Sequence, residues 1–92
     1  MRLHVYAVLD QGVGAFLPPL FMRSKGEALR SFTEAVNDPK SNFHRYAHDF
    51  HLMYLGEWDD NSGAFDASVP VRIISGNEVL ISDVFPPEKK VS

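Results

Sequence analysis

A chain of 92 residues that is 45% apolar and 23% charged is long enough for one domain and lies well outside the composition of a disordered segment. The absence of cysteine excludes a disulfide framework and thiolate zinc sites, and suits a reducing compartment. A net charge of −3 argues against coating nucleic acid by bulk electrostatics but leaves local basic patches open, because binding follows the local field.

Leu3, Val5, Ala7 and Leu9 alternate with His4, Tyr6 and Val8, which predicts a strand buried on at least one face. This opening lacks the apolar core of a signal peptide, and no apolar run approaches the roughly 20 residues that cross a bilayer. Asp10-Gln11-Gly12-Val13-Gly14 breaks the strand, and Ala15-Phe16-Leu17 resumes extended structure. Pro18-Pro19 cannot donate ladder hydrogen bonds, so this second strand is expected at an edge or bent before Leu20-Phe21-Met22 continues it. Ser24 and Glu27 have the spacing of a capping box. Ala28, Leu29, Phe32, Ala35 and Val36 then form an apolar stripe at helical spacing, and Asn37-Asp38-Pro39 stops it. The helix is placed at about 25–37. Phe43, Tyr46, Ala47 and Phe50 predict a turn or two of helix, and Leu52 to Trp58 a third strand. Asp59 to Gly63 is dense in turn residues, with Ala64 to Ala67 pairing back. Val71 to Ile74 and Val79 to Ile81 predict a last hairpin around Ser75-Gly76-Asn77. The fold class is therefore α+β: one main helix packed on a small antiparallel or mixed sheet, in the order ββα and then strands. A single domain is expected over residues 1–85, with a loose tail at 86–92.

Chemistry-bearing patterns are sparse. His44 and His48 would share a helix face, with His51 close behind, but Phe43, Tyr46 and Phe50 anchor the same segment and the histidines read as its solvent side. Asp59, Asn61 and Gly63 suggest a calcium loop, yet the glycine falls at position five and Pro70 takes the twelfth place, so the segment reads as a hairpin turn. There is no nucleophile elbow, P-loop or dinucleotide fingerprint. No catalytic residue, metal ligand or cofactor is assigned, and the chain is expected to act by binding. Arg23, Lys25 and Arg30 gather at the start of the main helix, where backbone N–H groups and the macrodipole favour anions, and Arg45 lies past its other end. These four are the candidate phosphate contacts. The bland reading is a solvated helix end, with Arg30 paired to Glu34. Tyr6, Phe16 and Tyr54 are candidates for base stacking, although such residues more often belong to the core.

From Pro19 to Gly63 the chain resembles the small nonstructural protein of gokushovirus-type microviruses, which are single-stranded DNA bacteriophages. The residues that carry the likeness are Pro19-Leu20-Phe21, then Gly26-Glu27-Ala28 with Arg30, Phe32, Ala35, Val36, Asn37 and Asp38. Phe43, Asp49-Phe50, Leu52, Leu55, Gly56-Glu57-Trp58 and Asp59 continue it. The resemblance implies an accessory factor made in the host bacterial cytoplasm, binding single-stranded DNA during viral genome replication or packaging. It brings no catalytic residues. The competing expectation is an oligomerising interaction module, a homodimer or a recruiter of a phage replication or assembly protein.

Overall fold

The computed structural model describes residues 1–81, and the expected tail at 86–92 lies outside them. The alternating N-terminal segment forms β1 (Arg2–Asp10), a central strand of a five-stranded sheet in which every pairing is antiparallel. On one side β1 pairs with β2 (Ala15–Phe16) and β3 (Leu20–Met22). Pro18 and Pro19 separate these two pieces, so the expected single second strand is divided and lies at the sheet edge, where missing donors cost least. On its other side β1 pairs with β4 (Phe50–Asp59), which pairs in turn with β5 (Phe65–Ser75). The domain is α+β but dominated by the sheet, and three strand segments rather than two precede the main helix.

That helix, α1 (Lys25–Val36), starts where Ser24 Oγ accepts the Glu27 amide at 3.1 Å. Glu27 does not complete the expected box. Its carboxylate accepts the Arg23 amide at 2.9 Å, one residue before the cap. At the far end, the Asn37 side-chain amide donates to the carbonyls of Thr33 and Val79 and its oxygen accepts the Ile81 amide, tying the helix end to the C-terminal segment. The connection to β4 contains α2 (Asn42–Arg45) and a 3-10 turn (Ala47–Asp49).

The expected last hairpin is absent: the apolar run Val71 to Ile74 belongs to the single strand β5, and the chain then turns into α3 (Gly76–Val79). Short apolar runs do not distinguish strand from helix. The contacts do: the Glu78 carboxylate accepts the Ser75 amide at 2.7 Å, and Gly76 lies so close to the Ala47 carbonyl that a Cβ would collide with it.

The core fills one face of the sheet, where Tyr6, Val8, Phe50 and Leu52 meet Ala28, Phe32 and Val36 of α1, with Ala47 beside them. The apolar stripe read from the sequence therefore faces the sheet. Val5, Ala7 and Met53 are also buried but do not belong to this cluster, because successive side chains on a strand point to opposite faces. They lie on the second face, which no helix covers among the described residues. The molecule is correspondingly thin and long, 51 × 29 × 21 Å.

Two irregularities shape the outer half of the sheet. Between Val5 and Tyr6 of β1 the partner on β4 jumps from Gly56 to Tyr54, leaving Leu55 as the extra residue of a bulge. On the other flank of β4, the partner jumps from Ala67 to Val71, and Pro70 falls in the unpaired stretch. With Pro18-Pro19 on one edge strand and Pro70 on the other, neither edge offers a long unbroken ladder to another chain.

Candidate nucleic-acid interface

Residues directly opposite in an antiparallel pair share a face. Leu3, Val5, Ala7 and Leu9 point away from α1, and their partners extend that uncovered face across the sheet. Phe16 stands opposite Leu9, Phe21 opposite Val5, and Trp58 opposite Leu3, with Phe65 opposite Trp58. Met53 lies beside Ala7 and Arg72 beside Met53. Phe21, Trp58 and Phe65 form one aromatic group, with Phe21 edge-on to Trp58 at 5.4 Å between ring centroids and 6.1 Å from Phe65. Phe16, Phe21 and Phe65 nevertheless keep 45%, 43% and 63% of their surface exposed. Large rings left open on a sheet face and rigidly seated against one another are a platform on which a planar group can stack.

The hairpin that carries Trp58 and Phe65 is fixed by local chemistry. Asp59 Oδ1 accepts the Asn61 amide at 2.9 Å, Gly63 takes φ +75°, and the Trp58 indole donates to the Gly63 carbonyl at 3.1 Å. This is the turn that the sequence indicated. The Asn61 amide also holds the Asp59 carboxyl below its ordinary pKa, with weaker help from Arg2. Carboxylates are dense at this end and mostly paired: Arg2 binds Glu57 at 2.7 Å and Asp66 at 3.3 Å, and the N-terminal ammonium binds Asp60 at 2.8 Å.

Of the stacking candidates from sequence, Phe16 is on the open face, whereas Tyr6 is 2% exposed in the core and Tyr54 packs edge-on against it. Phe21, Trp58 and Phe65 are the aromatics that sequence reasoning missed. Their signal was present, because alternation from Leu3 and the turn at Asp59 to Gly63 fix which residues share a face once the strands are paired.

The four basic candidates are all exposed. Arg23 directly follows β3, and Lys25 opens α1. Arg30 lies more than a turn along the helix and pairs with Glu34 at 3.6 Å, as the bland reading held. Arg45 belongs to α2, past the opposite end of a 12-residue helix that spans about 18 Å at the usual rise of about 1.5 Å per residue. The start of α1 is also partly taken, since Glu27 already places a carboxylate there.

The histidine trio is dispersed. His44 Nδ1 is 3.1 Å from the Val36 carbonyl, His48 is exposed beside Asp49, and His51 lies on the uncovered face. Among the described residues no three His, Asp or Glu side chains group as metal ligands. Two open clefts of about 350 and 310 Å³ lie at the α2 end, lined by Asp10, Asn42 and Phe50 with Leu17, Phe43, Tyr46 and Asp49 among others. Among the described residues no basic side chain lines either one.

The protein is a two-layer α+β domain with an aromatic sheet face that no helix covers among the described residues. The family described as Phage ORF5 protein matches residues 3–79, and the chain belongs to that family. It is 29% identical to Protein ORF5 of Chlamydia phage 1 over 96 aligned positions, covering 97% of this chain and 99% of that protein. The likeness to a gokushovirus protein read from residues 19–63 thus extends over nearly the whole sequence. No solved structure matches the chain. No helix of the described residues is long and apolar enough to cross a membrane.

Proposed function

We propose that this phage protein is an accessory factor that binds single-stranded DNA in the host bacterial cytoplasm during viral genome replication or packaging, acting by binding rather than by catalysis. The observation that supports this is the uncovered sheet face with Phe16, Phe21 and Phe65 exposed on it. Unpaired bases offer their flat faces to such rings, and each stacking contact is worth about 1–3 kcal/mol by truncation. Arg23 follows β3 two residues after Phe21, with Lys25 beyond, and would add charge to stacking. Arg30 and Arg45 contribute less, the first paired with Glu34 and the second remote. The same exposed rings support a second reading, in which the face binds protein, as a homodimer or on a replication or assembly protein.

Fluorescence anisotropy with a labelled oligo-dT across several salt concentrations tests the choice. The parent is expected to bind, with a shallow decline as salt rises, because stacking carries much of the affinity. Phe21→Ala/Phe65→Ala should weaken binding about tenfold or more, since about 1.4 kcal/mol is a factor of ten. Both residues are exposed, so the double variant should still fold. A folded parent that ignores the oligonucleotide at low salt, but sediments as a dimer that the double variant disrupts, would establish the protein-binding reading instead.

A further inference from the structure

The uncovered face carries one cation in register, and it is built into a chain of hydrogen bonds. Arg72 Nη1 donates to Ser75 Oγ at 2.6 Å, Ser75 Oγ lies 2.7 Å from His51 Nδ1, and His51 Nε2 lies 2.7 Å from Gln11 Oε1. A guanidinium can only donate, so Ser75 Oγ accepts from Arg72 and can give its own proton to His51 Nδ1. The imidazole then carries its hydrogen on Nε2 and donates to the Gln11 amide oxygen. Each of the three hydrogen bonds then has one donor and one acceptor, and the chain joins the β1–β2 turn, β4 and the end of β5. Ser75 is 3% exposed, so the anchor is buried while the Arg72 side chain reaches solvent.

Two of the chain's other arginines are already paired. Arg2 is held by two carboxylates and Arg30 by one. Arg72 makes no ion pair among the described residues, and its fork has five donors of which Ser75 takes one. It stands beside Met53 and Ala7, between the Leu9 row that carries Phe16 and the Leu3 row that carries Trp58 and Phe65. At about 3.4 Å per residue the first row is about 7 Å away and the second about 14 Å. A preorganised guanidinium at that place can hold a phosphodiester while bases stack on either side.

We propose that Arg72, oriented by the Ser75–His51–Gln11 chain, is the phosphate contact of the single-stranded DNA site on the uncovered sheet face. This rests on the DNA-binding reading above and locates its charge away from the helix end. The test uses the whole chain, oligo-dT and a salt series for the parent, Arg72→Ala, Arg72→Lys, Ser75→Ala and Arg23→Ala/Lys25→Ala, each first checked by thermal melt. Arg72→Ala is expected to flatten the slope of log affinity against log salt by about 0.7, the signature of one lost phosphate on a single strand. Arg72→Lys should restore the slope while binding more weakly. Ser75→Ala should weaken binding with the slope kept, because the charge stays but its orientation is lost. A parental slope in folded Arg72→Ala or, should that variant not fold, a Lys variant as tight as the parent overturns the assignment and leaves DNA binding standing. A parent that does not bind at all overturns both.

Discussion

Gly56 decides whether the aromatic hairpin can form, and its substitution by alanine tests the architecture most directly. It sits where the β1–β4 register shifts, with φ +130°, a conformation that side chains rarely adopt. A Cβ there would run into the Asp66 carbonyl and meet the Ser68 amide nitrogen at 3.0 Å and Ala67 Cα at 3.1 Å. All three are backbone atoms of β5, so the clash cannot be relieved by a side-chain rotation; the strands must separate. Strain at such a backbone costs about 1–3 kcal/mol, and overpacking adds about 1–3 kcal/mol. We expect Gly56→Ala to cost about 3 kcal/mol or more, against a total stability of about 5–15 kcal/mol for a domain. At about 4–8 °C per kcal/mol, the midpoint of a thermal melt should fall by about 12 °C or more. Near-ultraviolet circular dichroism should lose the Trp58 signal in proportion, since Trp58 is two residues away and its indole is hydrogen-bonded within the same hairpin. A melt within about 2 °C of the parent, with the Trp58 signal intact, would show that β4 and β5 do not approach as closely as described.

Two further expectations follow from the core. Phe32→Ala removes a ring that is 4% exposed and already borders a void of about 50 Å³ between α1 and the sheet; a loss of about 3–5 kcal/mol is expected by denaturant titration, and an unchanged midpoint would mean that the stripe on α1 faces no core. Burial raises the Tyr6 phenol above its ordinary pKa of about 10, with Tyr54 adding to it, so the unfolded chain ionises first and stability is full below about pH 10 and lost as pH rises through the folded value. The fall in melting temperature above pH 10 should be shallower in Tyr6→Phe, and equal slopes would show that Tyr6 is not the group responsible.

How far the sequence could be read depended on whether a signal was local. The β1 alternation, the Ser24 cap, the stripe through Phe32 and the Asp59 turn are set by residues within a few positions of one another, and the structure keeps them. The last hairpin was misread because Val71 to Ile74 and Val79 to Ile81 look alike in isolation. What separates them is Gly76 against Ala47, a contact across more than twenty residues of chain. The Glu27 carboxylate shows the same limit on a smaller scale, since spacing located it near the cap but could not choose between the amides of Ser24 and Arg23. The aromatic face required the pairing itself: Phe16, Phe21, Trp58 and Phe65 are scattered over 50 positions and share no period. Linear clustering placed Arg23 and Lys25 together at the start of α1, but it could not show that Arg30 pairs with Glu34 or that Arg45 belongs to a separate short helix.

The net charge and the open face bear on each other. An acidic chain repels a polyanion at long range, so this protein is poorly made for fast, indiscriminate attraction to duplex DNA. A duplex also hides its base faces, leaving the rings nothing to stack on. A single strand exposes the bases, and exposed rings gain contact only with such a strand. A low density of cations on an aromatic face would therefore sharpen the distinction between single-stranded and duplex DNA, because phosphate attraction, which both share, supplies little of the binding. Under this reading the missing positive charge is part of the selectivity: stacking chooses the strand, and a single anchored guanidinium at Arg72 sets where its backbone lies.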